Sequence, residues 1–173
     1  TRLEAVGYFK KALVLDTAKE YTNDIKKTMK WIGTQFWNDA SSALDGVNYL
    51  SAIENYEKFK ECMLIAEPNW NIRKNEIDFK TVLADMFGKM FRSNIKENLE
   101  YFNKAEINYK EVIALDTNNW SANFNLGMLY YNYGVDIINN MPIESDIIVI
   151  ENIQEEAKLQ FKRALPYVLK AYA

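Results

Sequence analysis

The sequence predicts an all-α fold, an array of antiparallel helix hairpins with about seven helices. Three observations carry the prediction. Glycine and proline number only six and three in 173 residues, whereas an all-β chain needs turn residues every 8–12 positions or so. Apolar residues make up 49 %, charged residues 26 % and aromatics 14 %, an ordinary globular composition with enough bulk to fill the space between helices. One trio recurs four times: Ala5/Phe9/Ala12, Ala52/Tyr56/Phe59, Ala105/Tyr109/Val112 and Ala157/Phe161/Ala164. Spacings of four and three put each trio on one helix face, where the small residue admits a neighbouring backbone and the aromatic fills the space a turn later.

Each element follows from its start and stop signals. A first helix spans about Arg2 to Leu15 and ends in Ala12-Leu13-Val14-Leu15-Asp16-Thr17, a terminator repeated at Val112-Ile113-Ala114-Leu115-Asp116-Thr117. A third version, Met63-Leu64-Ile65-Ala66-Glu67-Pro68, stops at proline. A long helix covers about Tyr21 to Leu44 and turns at Asp45-Gly46 into a partner from about Asn48 to Ala66. The next pair is expected at Ile72–Arg92 and Ile95–Leu115, the latter opened by Asn94 with Glu97 at capping-box spacing. The last pair is expected at Ser121–Ile138 and Asp146–Ala171, joined through Asn139-Asn140-Met141-Pro142. Either Asn118 or Asn119 can cap the first of these, and Pro166 is expected to kink the second. Ile147–Ile150 fits a helix or an extended segment equally, because all four residues are β-branched. The map makes residues 1–173 a single repeat domain, with a half-repeat at 1–17 and hairpins at about 18–68, 69–117 and 118–173.

Composition removes several functions. No histidine is present, so a His-dependent triad, a His-built zinc site and a Cys–His nucleophile are excluded within this chain. Cys62 is the single cysteine and can form no internal disulfide. Net charge is −3 with lysine and glutamate interspersed, which leaves no basic stripe for nucleic acid. The longest aliphatic run, Ile147–Ile150, is far too short to insert in a membrane. No Gly-rich phosphate loop, Ser-centred elbow or Cys-x-x-Cys occurs. Glu155-Glu156 reads as solvated helix charge, and Tyr130, Tyr131 and Tyr133 point in different directions along a helix, so they make no single platform. No catalytic residue, metal site or cofactor is expected. No signal peptide is visible, but the chain starts at Thr1 already inside a helix. It therefore reads as a fragment of a longer protein, and the compartment stays open between cell envelope and cytoplasm.

The stretch Ser121-Ala122-Asn123-Phe124-Asn125-Leu126-Gly127-Met128-Leu129-Tyr130 carries a Leu-Gly-x-x-Tyr core. With the four trios and their terminators, it resembles tetratricopeptide repeat proteins across most of the chain. The closest likeness is to a bacterial branch with lengthened hairpins, whose final segment reads much like Phe161-Lys162-Arg163-Ala164-Leu165-Pro166-Tyr167. The period departs from the family: the trio alanines at 5, 52, 105 and 157 are 47, 53 and 52 residues apart, against about 34 in the standard repeat and roughly 40–47 in HEAT repeats. The junction over Thr117–Tyr130 keeps tetratricopeptide spacing, so the extra residues fall inside longer helices.

The resemblance implies a right-handed superhelix, and a scaffold that binds a protein partner's peptide or helix on its concave face as part of a larger complex. In the family the first helix of each hairpin lines that face. Carried over, the lining residues are Phe124, Asn125, Met128, Tyr131 and Asn132 in the last hairpin, Trp37, Asn38 and Ser41 in the first, and Asp85, with Thr81 near it, in the middle one. Asn38 and Asn125 match an asparagine that family members use to hold a peptide backbone, offering a donor and an acceptor together; solvation or a local cap is the alternative. Chaperone-binding members clamp a terminal carboxylate with polar residues where Phe124 and Met128 stand here, so that clamp is not expected. Trp37, Phe124, Met128 and Tyr131 would instead suit an apolar segment, or else pack on neighbouring hairpins. Leu126, Gly127 and Tyr130 are expected to be packing residues. A second functional expectation is a carbohydrate- or small-ligand-binding helical domain of the bacterial envelope, for which Trp70 and Trp120, at equivalent junctions, are the candidate aromatics.

Overall fold

The computed structural model describes residues 1–142 and 146–173; among these are seven α-helices and no strand. They are α1 (Arg2–Leu15), α2 (Thr22–Asp45), α3 (Tyr49–Ala66), α4 (Arg73–Ser93), α5 (Leu99–Leu115), α6 (Trp120–Asn139) and α7 (Ile147–Tyr172). Helices α2 with α3, α4 with α5, and α6 with α7 pair as antiparallel hairpins. The chain divides into two compact units, Thr1–Lys74 and Asn75–Ala173.

In the first unit, Thr1 caps α1 through a capping box with Glu4, which satisfies donors that a helix start leaves open. Asp16 then organises the bend into α2. Its carboxylate accepts from the backbone of Glu20 (2.9 Å) and Tyr21 (3.0 Å) and from the Thr22 hydroxyl (2.7 Å), and these bonds, Thr22 foremost, hold its pKa below the ordinary value. Along α2 the buried residues Ile25, Met29, Ile32, Phe36, Ala40 and Leu44 recur every three or four positions, the stripe an amphipathic helix needs. They meet Ala52, Tyr56, Phe59 and Cys62 of α3, all buried. At the tip of the hairpin Val47, not Gly46, takes the left-handed conformation, with φ 58°. Helix α1 is less covered: Val6 is its one buried residue, and its trio Ala5, Phe9 and Ala12 is only half-buried.

In the second unit, α4 and α5 join through aromatic contacts: Phe91 on Phe102 with centroids 5.2 Å apart, and Phe87 stacked on Tyr101 at 6.0 Å. Helix α5 begins at Leu99 rather than at Ile95. Asn94 does accept from the Glu97 amide (3.4 Å), but this closes only a turn. Asn98 turns its side chain back to the Met90 carbonyl (2.8 Å) and the Ser93 hydroxyl (3.1 Å). The intervening residues thus finish α4 before α5 starts. Helix α6 is capped by Asn119, whose side chain accepts from the Ala122 amide. A Cβ on Gly127 would stand 2.6 Å from Val168 Cγ2 and 3.2 Å from the Val168 nitrogen, and one on Gly134 2.7 Å from the Phe161 ring. Both glycines let α7 lie close against α6. The Ile147–Ile150 run is helical, started by Asp146, which accepts from the Ile148 and Val149 amides. Helix α7 continues from Ile147 to Tyr172 with Pro166 inside it.

Candidate functional site

Within the second unit, Asp85 lies on α4 with Lys89 and Arg92 four and seven residues on, hence on one side of the helix. The Asp85 Oδ1 accepts from the Tyr109 hydroxyl of α5 (2.5 Å) and from Asn125 Nδ2 of α6 (2.9 Å). One carboxylate oxygen thereby joins three helices. Asn125 Nδ2 also lies 3.4 Å from the Ser121 hydroxyl, and no donor among the described residues engages its Oδ1. Burial first, then the bond to Asp85 and its negative charge, push the Tyr109 pKa far up, so Tyr109 stays a neutral donor. Beside this junction opens a cavity of about 260 Å³ bordered by Asp85, Lys89, Arg92, Tyr109, Asn125 and Met128. Lys89 and Arg92 are exposed and form no ion pair among the described residues.

A second polar cluster in the same unit serves packing. Glu106 Oε1 accepts from the Tyr130 hydroxyl (2.7 Å) and from Arg163 Nη2 (2.9 Å), and also pairs with Lys110. The Arg163 guanidinium lies over the Tyr130 ring, 4.3 Å from its centroid. Burial opposes ionisation of Glu106, but the bonds from Lys110 and Tyr130 and the charge of Arg163 outweigh it and hold the carboxyl below its usual pKa. The Tyr130 of the Leu-Gly-x-x-Tyr core is thus a buried strut linking α5, α6 and α7.

Of the sequence-predicted residues, the structure brings together Asp85, Asn125 and Met128 around one cavity. Phe124 stacks on Trp120 with centroids 5.1 Å apart and planes at 6°, and Tyr131 leans on Phe161 at 5.5 Å. Both rings touch their own hairpin while remaining partly open to solvent, and Asn132 is half-buried. Thr81 is half-buried too, its hydroxyl donating to the Ile77 carbonyl (2.7 Å). In the first unit, Trp37 packs on Phe59 (4.9 Å) and Tyr56 (6.1 Å), whereas Asn38 and Ser41 are exposed on α2. The two junction tryptophans differ as well: Trp70 lies edge-on to Phe59 at 5.3 Å, while Trp120 is 58 % exposed. Sequence reasoning passed over Tyr109 as a hydrogen-bond donor, having read it only as a packing aromatic. It also passed over Lys89 and Arg92, whose spacing from Asp85 was the available signal.

Cys62 is buried, and burial, then the charge of Glu61, push its thiol up to about 11, so it is no thiolate near neutrality. No cluster of three or more metal-ligating side chains occurs among the described residues, and no described helix is long and apolar enough to cross a membrane. The fold and this face define a protein of the helical-hairpin repeat class. No protein-family model, curated protein or solved structure matches the chain.

Proposed function

We propose that this chain is a non-enzymatic interaction scaffold of the tetratricopeptide type, holding a peptide or helix of a protein partner on the face formed by α4 and α6. The observation that carries this reading is the convergence of Asp85, Asn125 and Met128 on one open cavity, on the first helices of successive hairpins. Asn125 is held in place by Asp85 yet keeps its carbonyl oxygen for a backbone N–H of the guest, and Met128 offers an adaptable apolar contact beside it. The absence of histidine supports a binding role over a catalytic one. The test is a photo-crosslinking residue at position 128, compared with one at Lys158 on α7, in the native cell extract. A discrete partner should crosslink from 128 and not from 158. It should vanish when Phe124→Glu is added to the chain that carries the probe at position 128, while the helical circular dichroism stays unchanged. Equal labelling from both positions would remove the α4–α6 face from consideration.

A second reading is favoured by Trp120. Its exposed ring, backed by Phe124, borders a cavity of about 340 Å³ with Asn118 and Lys170. A flat aromatic face beside polar groups suits a sugar or another small ligand. Glycan-array binding abolished by Trp120→Ala and kept by Trp70→Ala would establish that use; a blank array would dismiss it.

A further inference from the structure

We propose that α1 is a homodimerisation helix, whose exposed stripe Ala5/Tyr8/Ala12/Leu15 packs antiparallel against the same stripe of a second copy. Val6, Phe9 and Leu13 lie on the covered face of α1 and are buried or half-buried. Beside them run Ala5, Tyr8, Ala12 and Leu15, spaced three, four and three, the period that keeps a helix stripe turned to a neighbouring helix. Tyr8 is 70 % and Leu15 79 % exposed, while the two alanines are half-buried. The stripe continues into an open cavity of about 440 Å³, which Ala12 and Leu15 border together with Tyr21 and Ile25 of α2. The corresponding surface of α5 is covered. Ala105, Tyr109 and Val112 are 0, 3 and 0 % exposed there, and the Tyr109–Asp85 bond ties them to α4. A helix of this repeat is thus built to receive another helix on that side, and α1 offers the same side to solvent.

The order of side-chain sizes identifies the occupant. Two α1 helices laid antiparallel about a two-fold axis level with Lys10 bring Ala5 to the second copy's Leu15, and Tyr8 to the second copy's Ala12. The symmetry repeats both contacts. Every large side chain then faces a small one, so the stripe is complementary to itself, as a closed isologous interface requires. A parallel pairing would set tyrosine on tyrosine and alanine on alanine, alternating collisions with voids that close packing does not tolerate. Lys11 flanks the stripe, exposed and without an ion pair among the described residues. The same register brings it near the second copy's Lys11, a repulsion that salt relieves. Four residues are few beside the roughly 20–30 per side of a standard interface. The dimer is therefore a weak one, half formed at a concentration on the order of 0.1 mM.

The experiment is sedimentation equilibrium of the 173-residue chain, at concentrations from about 10 µM to about 1 mM. A monomer–dimer equilibrium is expected, with no larger species. Leu15→Glu should weaken it roughly tenfold or more, because it buries an unpaired charge. Val14→Glu is the control: Val14 is also 79 % exposed but points away from the stripe, and its variant should stay within about twofold of wild type. Both positions stand in solvent, so unchanged helical circular dichroism is expected of each. Raising salt should tighten the dimer, and wild type mixed with Lys11→Glu should favour the mixed dimer roughly threefold. The register has its own check. Chains carrying Ala5→Cys, mixed with chains carrying Leu15→Cys, should form a disulfide in air far faster than either alone, and the buried Cys62 takes no part. A chain still monomeric at the highest concentration, equal losses from Val14→Glu and Leu15→Glu, or Leu15→Cys linking chiefly to itself would each overturn the proposal. So would a photo-crosslinker at position 15 that captures a different protein from cell extract while the purified chain stays monomeric, which would assign the stripe to that partner. The α4–α6 face takes no part in any of these readouts, so the scaffold reading stands or falls separately.

Discussion

On α2, Asn38 and Ser41 stand in solvent while Trp37 rests against Phe59 and Tyr56 of its own hairpin. On α6, the equivalent Asn125 is bonded to Asp85 of the preceding hairpin, and Met128 borders a cavity that α4 helps to form. Helix α6 follows a complete hairpin, so its outward asparagine finds a carboxylate from a first helix. Within the 173 residues, α2 follows the single helix α1. A repeat hairpin packs itself with its own two helices, but it takes the preceding hairpin to turn a lining residue into part of a site. The trios show the same contrast: Ala52, Tyr56 and Phe59 are 0, 2 and 4 % exposed, whereas Ala5, Phe9 and Ala12 remain half-buried on α1.

The largest effect should come from breaking that last contrast. Tyr56→Ala empties a filled position between α2 and α3 and is expected to cost about 3–5 kcal/mol, as large-to-small core changes do. Phe9→Ala, at the same place in the lone first helix, should cost about 1 kcal/mol or less. Urea denaturation of the two variants measures both. Equal costs would mean that α1 is covered as fully as α3.

A smaller effect separates the glycines. A methyl on Gly127 would press on Val168, including its backbone nitrogen at 3.2 Å, and overpacking of this kind costs about 1–3 kcal/mol. A methyl on Gly33 would meet Cys62 Cβ at 3.1 Å and the Met63 sulfur at 3.4 Å, a tight fit against side chains alone. There the gain of about 1 kcal/mol in helix propensity competes on equal terms. Gly127→Ala should therefore destabilise by about 1–2 kcal/mol and Gly33→Ala by less than about 1. A reversed order in their urea midpoints would show that α6 and α7 have more freedom to separate than α2 and α3.

How far these features were legible depends on the range of the interaction. Spacings of four and three were enough to find each second helix, because the same residues that set the period make the contact. The start of α5 was not legible. Asn94 and Asn98 are both good caps, and the choice between them is made by bonds from Asn98 back to Met90 and Ser93. The helical state of Ile147–Ile150 rests on the Asp146 cap, which outweighs the preference of β-branched residues for extended backbone. At the site, the positions of Asp85 and Asn125 could be carried over from the repeat pattern. Their union could not, because it joins residues 40 apart and requires α4 and α6 to be neighbours. Trp37 shows the opposite failing: a wheel position places its Cβ, but the long ring reaches round into the Tyr56 and Phe59 packing.

Acidity should test the Glu106 cluster of the second unit. Glu106 has a folded pKa below its unfolded value, so between the two the native state holds fewer protons than the unfolded chain. Its stabilising contribution is therefore complete above the ordinary glutamate value near 4.5 and is lost as pH falls through the folded one. Glu106→Gln should lower stability at pH 7 and flatten the decline of stability on acidification below pH 5 or so. Urea midpoints across that range, for wild type and variant, provide the check. Parallel curves would mean that Arg163 and Lys110 do not hold the charge.

The smallest effect returns to the paired asparagines. Asn125→Ala removes one of two donors to the Asp85 oxygen and leaves Tyr109 in place, so it should cost about 0.5–1.5 kcal/mol, the net value of a single hydrogen bond. Asn38→Ala, at an exposed position on α2, should stay within about 0.5 kcal/mol of wild type. The sharper readout is the side-chain amide of Asn125 in a ¹⁵N spectrum. In wild type its two protons should exchange slowly and resonate apart from those of Asn38, and Asp85→Ala should bring them to the solvent-exposed pattern. If the Asn125 amide already behaves like that of Asn38, the preceding hairpin does not hold it, and the contrast between the two regions reduces to packing alone.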